Sequence, residues 1–326
     1  VNFYLPGYVE SGLFRGLIKK TFSGDDNRVV PLFVNVRKDV VLALGGLVKS
    51  GSSMDSRANA ARAVGVLRGS AALPALIDGL HSKNDEVIYE SLIAIQKIRD
   101  PDAAPSISFL LGDLKEKVQI AAIETTGLLL NKEAIPNLSR VYENTRSKKV
   151  RKAAITALAM LPDESTRPIY QKAFQEKDEE IRAAAAEGYA RLKNPSDKAM
   201  LEKAFAEEQK MKPRLALAFA LVSLDNSAMT EFAPLRYLVN TLNSRLYTGI
   251  AEAYLRELVR TEEVRNAIYP ALQSGTKPEK MALGRVLAVS GDESSLAHLE
   301  TLSKDPDTDV AEQGLRSLRS LKARIR

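Results

Sequence analysis

The chain is written in short amphipathic runs. In "VRKAAITALAML", the residues Val150, Ala154, Leu158 and Leu161 recur every three or four positions, which places them on one face of a helix. The same pattern starts again at Ser56, Val87, Val118, Ile181, Pro213, Leu246, Glu279 and Val310, and with Val150 included the steps are 31, 31, 32, 31, 32, 33, 33 and 31 residues. A period this regular is the signature of a repeat array. Small residues stand four places after the start in several copies (Ser91, Ala122, Ala154, Ala185, Gly314), where a neighbouring helix can approach closely.

Breakers follow these helices: "RDPDAAP" at 99–105, "LPDESTRP" at 161–168, "KNPSDKA" at 193–199, "LDNSA" at 224–228 and "GDES" at 291–294. Their Asp, Asn and Ser side chains can accept from the free amides of a new helix, and proline stops the old one. A second helix is predicted after each breaker, in "AALPALIDGL", "AAPSISFLLGDL", "EAIPNLSRVY" and "STRPIYQKAF". Pro74, Pro105, Pro136 and Pro168 fall in the first turn of these segments, where a missing amide costs least. Neither helix of a pair can bury its apolar face alone, so successive pairs must stack. The expected fold is all-α, a right-handed α-solenoid (superhelix) of about nine antiparallel helix pairs, forming a single continuous domain over residues 39–326. Residues 1–38 do not fit the register. There Tyr8, Leu13, Phe14, Leu17, Ile18 and Phe22 predict an amphipathic segment that caps the array, with "SGDDN" at 23–27 as a turn.

The unit, D-x-x-V-R-x-x-A-x-x-A-L-x-x-L-x-D followed by A-x-P-x-L, resembles the HEAT repeat. More specifically, it resembles the short bacterial HEAT-like repeat first noticed in phycobilisome linker lyases. Asp178 to Leu192 and Lys149 to Asp163 carry the pattern best, and the resemblance extends over about residues 40–326. It implies a fold used mainly for protein–protein binding. The tryptophan–glycine–tyrosine pattern of tetratricopeptide repeats and the "TPLH" of ankyrin repeats are missing.

Composition narrows the chemistry. The sequence has no cysteine, so disulfides, thiolate metal sites and cysteine nucleophiles are excluded while the compartment stays open, cytoplasmic or exported as to a bacterial periplasm. Val1 in place of Met leaves room for a removed upstream segment. The longest apolar run, "LALAFALVSL" at 215–224, is half the length of a membrane span. Neither His81 nor His298 is followed by glutamate, unlike the His-Glu pairs that the resemblance associates with metal hydroxylases of the deoxyhypusine type. The absence of tryptophan likewise speaks against the HEAT-like DNA glycosylases, which cradle a damaged base with that residue. No phosphate loop or esterase elbow is present. No catalytic residue, metal or cofactor is expected.

The net charge of +6 collects in two patches, residues 145–152 and 314–326. A binder of nucleic acid would use these two patches, and this is the second functional reading. A lyase-type chaperone or enzyme subunit is the third. The leading expectation is a monomeric, soluble, non-enzymatic scaffold or adaptor that holds a protein or peptide partner on a concave helical surface. Its candidate binding residues are the outward positions Arg62, Tyr89, Glu124, Lys152, Glu187, Tyr247, Glu252, Arg285 and Arg316, whose mixed signs suit a protein better than a polyanion. A second set, Arg57, Arg151, Arg182, Arg214 and Lys280, is expected to form a structural ladder, each base bonding a carboxylate or helix end in an adjacent unit.

Overall fold

A computed structural model describes residues 26–112 and 115–325, with side chains from residue 37 onward. Among these residues all regular structure is helical. The chain divides between Ala157 and Leu158 into two compact units.

The first unit opens with α1 (Asp26–Ser50), a helix that runs through the expected boundary at residue 38. Asp26 and Asn27, expected in a turn, are its first residues. The part of the expected capping segment that precedes Asp26 lies outside the described residues. Then follow α2 (Met54–Leu67), α3 (Leu73–Gly79), α4 (Asp85–Ile98), a 3-10 helix (Pro101–Leu111), α5 (Glu116–Leu128), α6 (Ile135–Asn144) and α7 (Lys148–Ala159). The 3-10 helix replaces an α-helix expected in "AAPSISFLLGDL". Pro105 cannot donate to Pro101, and Ser106, Ile107 and Ser108 are weak α-formers where α3 has alanine and leucine. It still buries Ala103, Ile107, Leu110 and Leu111.

The second unit contains α8 (Arg167–Ala173), α9 (Glu179–Leu192), α10 (Lys198–Glu207), α11 (Met211–Ser223), α12 (Pro234–Thr241), α13 (Thr248–Leu258), α14 (Glu262–Ser274), α15 (Lys277–Ser290), α16 (Ser295–Leu302) and α17 (Thr308–Ile325). All nine copies of the sequence repeat are therefore α-helices (α2, α4, α5, α7, α9, α11, α13, α15, α17).

The caps follow the breakers. Asp100, Asp163, Asn194 and Asp292 each accept from the amide two residues on, at 2.9–3.1 Å. Asn84 and Asp178 cap α4 and α9 in the same way. Pro74, Pro136 and Pro168 occupy the first turn of α3, α6 and α8.

The small residues permit close packing as the register requires. Ser91, Ala122, Ala154 and Ala185 are fully buried. A Cβ on Gly314 would lie 2.6 Å from the Ser303 amide, so only glycine lets α17 reach α16. Gly188 makes room for the ring of Tyr170, whose hydroxyl donates to the Leu158 carbonyl at 2.9 Å. Burial pushes that phenol up to about 12. Among the described residues no helix is long and apolar enough to cross a membrane, and no cluster of His, Cys, Asp or Glu has the makings of a metal site.

Candidate functional site

Of the nine residues expected at outward positions, Arg62, Glu124 and Arg316 are exposed and Tyr89, Lys152, Glu187, Tyr247 and Arg285 half-buried, whereas Glu252 is buried beneath the arginines that pair with it. In the first unit Arg62 of α2 reaches Glu90 of α4 at 2.7 Å, and Asn59 of its own helix at 3.1 Å. The ammonium of Lys117 sits 3.7 Å over the ring of Tyr89 and also pairs with Glu86 at 3.0 Å. Glu124 is exposed on α5, yet the protein around it raises its carboxyl above the usual range by desolvation. Lys152 is half-buried on α7.

In the second unit the candidates take part in two networks. Glu252 of α13 receives Arg285 of α15 at 2.5 Å and Arg256 of its own helix at 3.1 Å. Glu187 of α9 accepts from the Tyr254 hydroxyl at 2.6 Å and from Arg191 at 3.3 Å. Arg191 in turn grips Glu257 with two bonds, at 3.1 and 3.0 Å, and donates to the Ala159 carbonyl at 3.1 Å. Burial first, then the Glu187 charge, holds the Tyr254 phenol well above its ordinary value. Tyr247 is half-buried just before α13, and Arg316 is exposed and pairs with Glu312 one turn away.

The second network spans two repeats. Tyr254 and Glu257 belong to α13, Glu187 and Arg191 to α9, and α11 lies between them. From Leu215 to Val222 every residue of α11 is buried. Tyr254 stacks on Phe219 at 4.7 Å, and the Arg191 guanidinium lies 5.5 Å from the same ring. Side chains from the flanking repeats thus close over α11.

The five bases just after the repeat starts serve different ends. Arg182 makes two bonds to Glu208 (2.8 and 3.2 Å) and two to the carbonyls of Glu176 and Lys177. Lys280 pairs with Asp305 at 2.8 Å, and Arg57 donates to the Val48 carbonyl near the end of α1 at 2.7 Å. Arg151 lies over the Tyr142 ring at 4.8 Å. Arg214 is held between Phe205 and Tyr237, 5.1 and 5.0 Å from the ring centres.

A further series of pairs occupies the position immediately before the repeat start. Lys117 meets Glu86 and Lys212 meets Glu180 across 31 and 32 residues. The alternation of Glu86 with Lys117, and of Glu180 with Lys212, at the repeat period was the available signal for it. The two histidines pack on rings: His81 on Phe109 at 4.7 Å and His298 on Tyr269 at 3.7 Å, where burial lowers the His298 pKa.

A family model of HEAT repeats matches residues 106–169 and, overlapping them, 135–222. Residues 106–222 of the chain carry HEAT repeats. The complex of CpcE and CpcF, the phycocyanin lyase of Nostoc sp. PCC7120, shares the fold of this chain. That match has a TM-score of 0.51 and 19% identity, covering 76% of this chain and 94% of that one. An engineered protein aligns with 87% of this chain and 99% of its own at 17% identity and a TM-score of 0.45. Human deoxyhypusine hydroxylase, in complex with glycerol, aligns with 90% of this chain and 99% of its own at 17% identity and a TM-score of 0.36. No curated protein matches the sequence.

Proposed function

We propose that this protein is a non-enzymatic scaffold that holds a protein partner on the outward surface of its repeat helices. The observation that carries the reading is that bases on that surface are neutralised by carboxylates buried beneath them, as in Arg62 with Glu90 and Arg285 with Glu252. Mutually neutralised charges leave a polar surface with no dominant sign, which suits another protein and gives a polyanion little to hold.

The basic patches support the same choice over nucleic acid. Lys149 is paired with Glu116, Arg316 with Glu312 and Lys322 with Glu300, while Arg324 donates to the Gly291 carbonyl. A cation already bonded to a carboxylate releases fewer counterions when it meets phosphate.

The test is to isolate proteins that co-purify with the full chain, reconstitute the complex from purified components, and map hydrogen-exchange protection on it. Protection concentrated on α4, α5, α9 and α13 is expected. In parallel, single- and double-stranded nucleic acids are titrated at two salt concentrations. Tight, steeply salt-dependent nucleic-acid binding that is lost when Lys148 and Lys149 become Glu would overturn the proposal, as would turnover of a substrate by the purified chain.

A further inference from the structure

One base in the ladder register is left without an acceptor. At this position Arg182 finds Glu208 and Lys280 finds Asp305, carboxylates that lie 26 and 25 residues further on. The residue 26 places after Arg214 is Asn240, which brings no charge. Nε of Arg214 is buried with no hydrogen-bond partner, and among the described residues the guanidinium makes no hydrogen bond or ion pair. Phe205 and Tyr237 nonetheless hold it in place, so the cation is oriented without a counterion.

The side chain opens onto a cavity of about 630 Å³, lined also by Met211, Phe232, Tyr237 and Asn240. Phe232 is unusual at this rim. The residue is 84% exposed, and its backbone adopts φ 67°, a left-handed conformation that a bulky residue takes only where the surrounding chain imposes it. An exposed aromatic residue beside a half-buried, unpaired arginine is the pairing of anchors that recurs at protein interfaces.

We propose that this cavity is a docking site for an acidic segment of a protein partner, whose carboxylate pairs with the terminal nitrogens of the Arg214 guanidinium while an adjacent apolar side chain packs on Phe232. Charge complementarity chooses the occupant: the vacant role is that of the acceptor that Arg57 finds in a helix-end carbonyl and Arg182 and Lys280 find in carboxylates. Glu231 lines the same cavity without pairing with Arg214, so an arriving acid meets one like charge at the entrance. The proposal rests on the protein-binding reading above and specifies one site within it.

The test uses the full chain and the acetylated, amidated peptide Ser-Leu-Glu-Leu-Ser, with the Gln peptide as its control and inorganic phosphate as a third probe. The readout is the Arg214 Nε–Hε NMR resonance, assigned from the spectrum of Arg214→Gln. The Glu peptide is expected to shift this resonance saturably and the Gln peptide to bind at least about tenfold more weakly, the usual effect of losing a charge-assisted bidentate contact. Phe232→Ala should weaken the Glu peptide severalfold, and Glu231→Gln should tighten it. Because Arg214→Gln alters packing against two rings, Arg214→Lys serves as the second variant. It keeps the charge and loses the fork, and should bind several times more weakly while melting near the parent temperature.

Equal binding of the Glu and Gln peptides, or saturation by phosphate as readily as by the Glu peptide, would overturn the acidic-peptide site. So would a Phe232→Ala variant that binds the Glu peptide as tightly as the parent. A reconstituted partner complex that is indifferent to both Arg214 variants and to Phe232→Ala would sink this site and leave the scaffold reading standing. Failure of the chain to bind any protein would remove both.

Discussion

Repeat helices α4 and α5 in the first unit and α9, α11 and α13 in the second descend from the same sequence pattern but are secured differently. Between α4 and α5 the surface bonds join nearest neighbours and lie in solvent, as in Lys117 with Glu86 and Lys115 with Asp85. Between α9 and α13 the bonds skip a repeat, and the helix beneath is buried from Leu215 to Val222. The stability of a regular array is approximately a sum of nearest-neighbour terms. The second unit adds a next-nearest-neighbour term, which should make three of its repeats unfold as one.

The largest effect should come from the buried ring that the bridge covers. Phe219→Ala removes the surface on which both Tyr254 and Arg191 rest, and should cost about 3–5 kcal/mol in chemical denaturation, with protection lost together from α9, α11 and α13 in hydrogen exchange. If only α11 lost protection, the three helices would not be a single cooperative block. Arg191→Ala should cost about 2–3 kcal/mol, since it leaves Glu257 and Glu187 without their cation in a partly covered site. In a double-mutant cycle with Glu257→Gln the two changes should be far from additive.

Acidification separates the units next. Ser294, ahead of Arg265, holds the Asp292 carboxyl below its usual range, and Lys280 and Lys277 do the same for Asp305 and Asp307. In the first unit Ser147 and then Lys149 lower Glu116. For carboxylates lowered on folding, the stabilisation is complete above their unfolded values near about 4 and disappears as pH falls through the lower folded values. Hydrogen exchange at descending pH should therefore show the helices from α14 to α17 opening before α4 and α5. The reverse order would mean that these aspartates do not hold their unit. The smallest effect belongs to the exposed nearest-neighbour bridges. Lys117→Ala should change stability by less than about 1 kcal/mol, as measured by denaturant midpoint.

The repeat, its caps and its proline-started second helices were legible because each depends on local chemistry that recurs every 31–33 residues. The 3-10 helix at Pro101–Leu111 was not, because its sequence keeps the apolar spacing that either helix type would bury. Glu187 and Glu252 were visible as candidates, whereas the bonds of Glu187 to Tyr254 and of Arg191 to Glu257 were not, since pairing between distant copies leaves no periodic trace. One signal was present. "LALAFALVSL" is apolar all round, and such a helix must be covered on every side. Arg214 looked like any other rung of the ladder, and Asn240 does not mark it in the sequence, since Arg57 has Lys83 at the same distance and still finds the Val48 carbonyl.

The bridge over α11 also restricts how this gene can change in length. Elsewhere in such a chain a whole module can be gained or lost and the register of its neighbours survives. Between α9 and α13 a duplication or excision of one module would separate Arg191 from Glu257 by a full step and strip the cover from an oily helix, so this stretch is fixed at its present count.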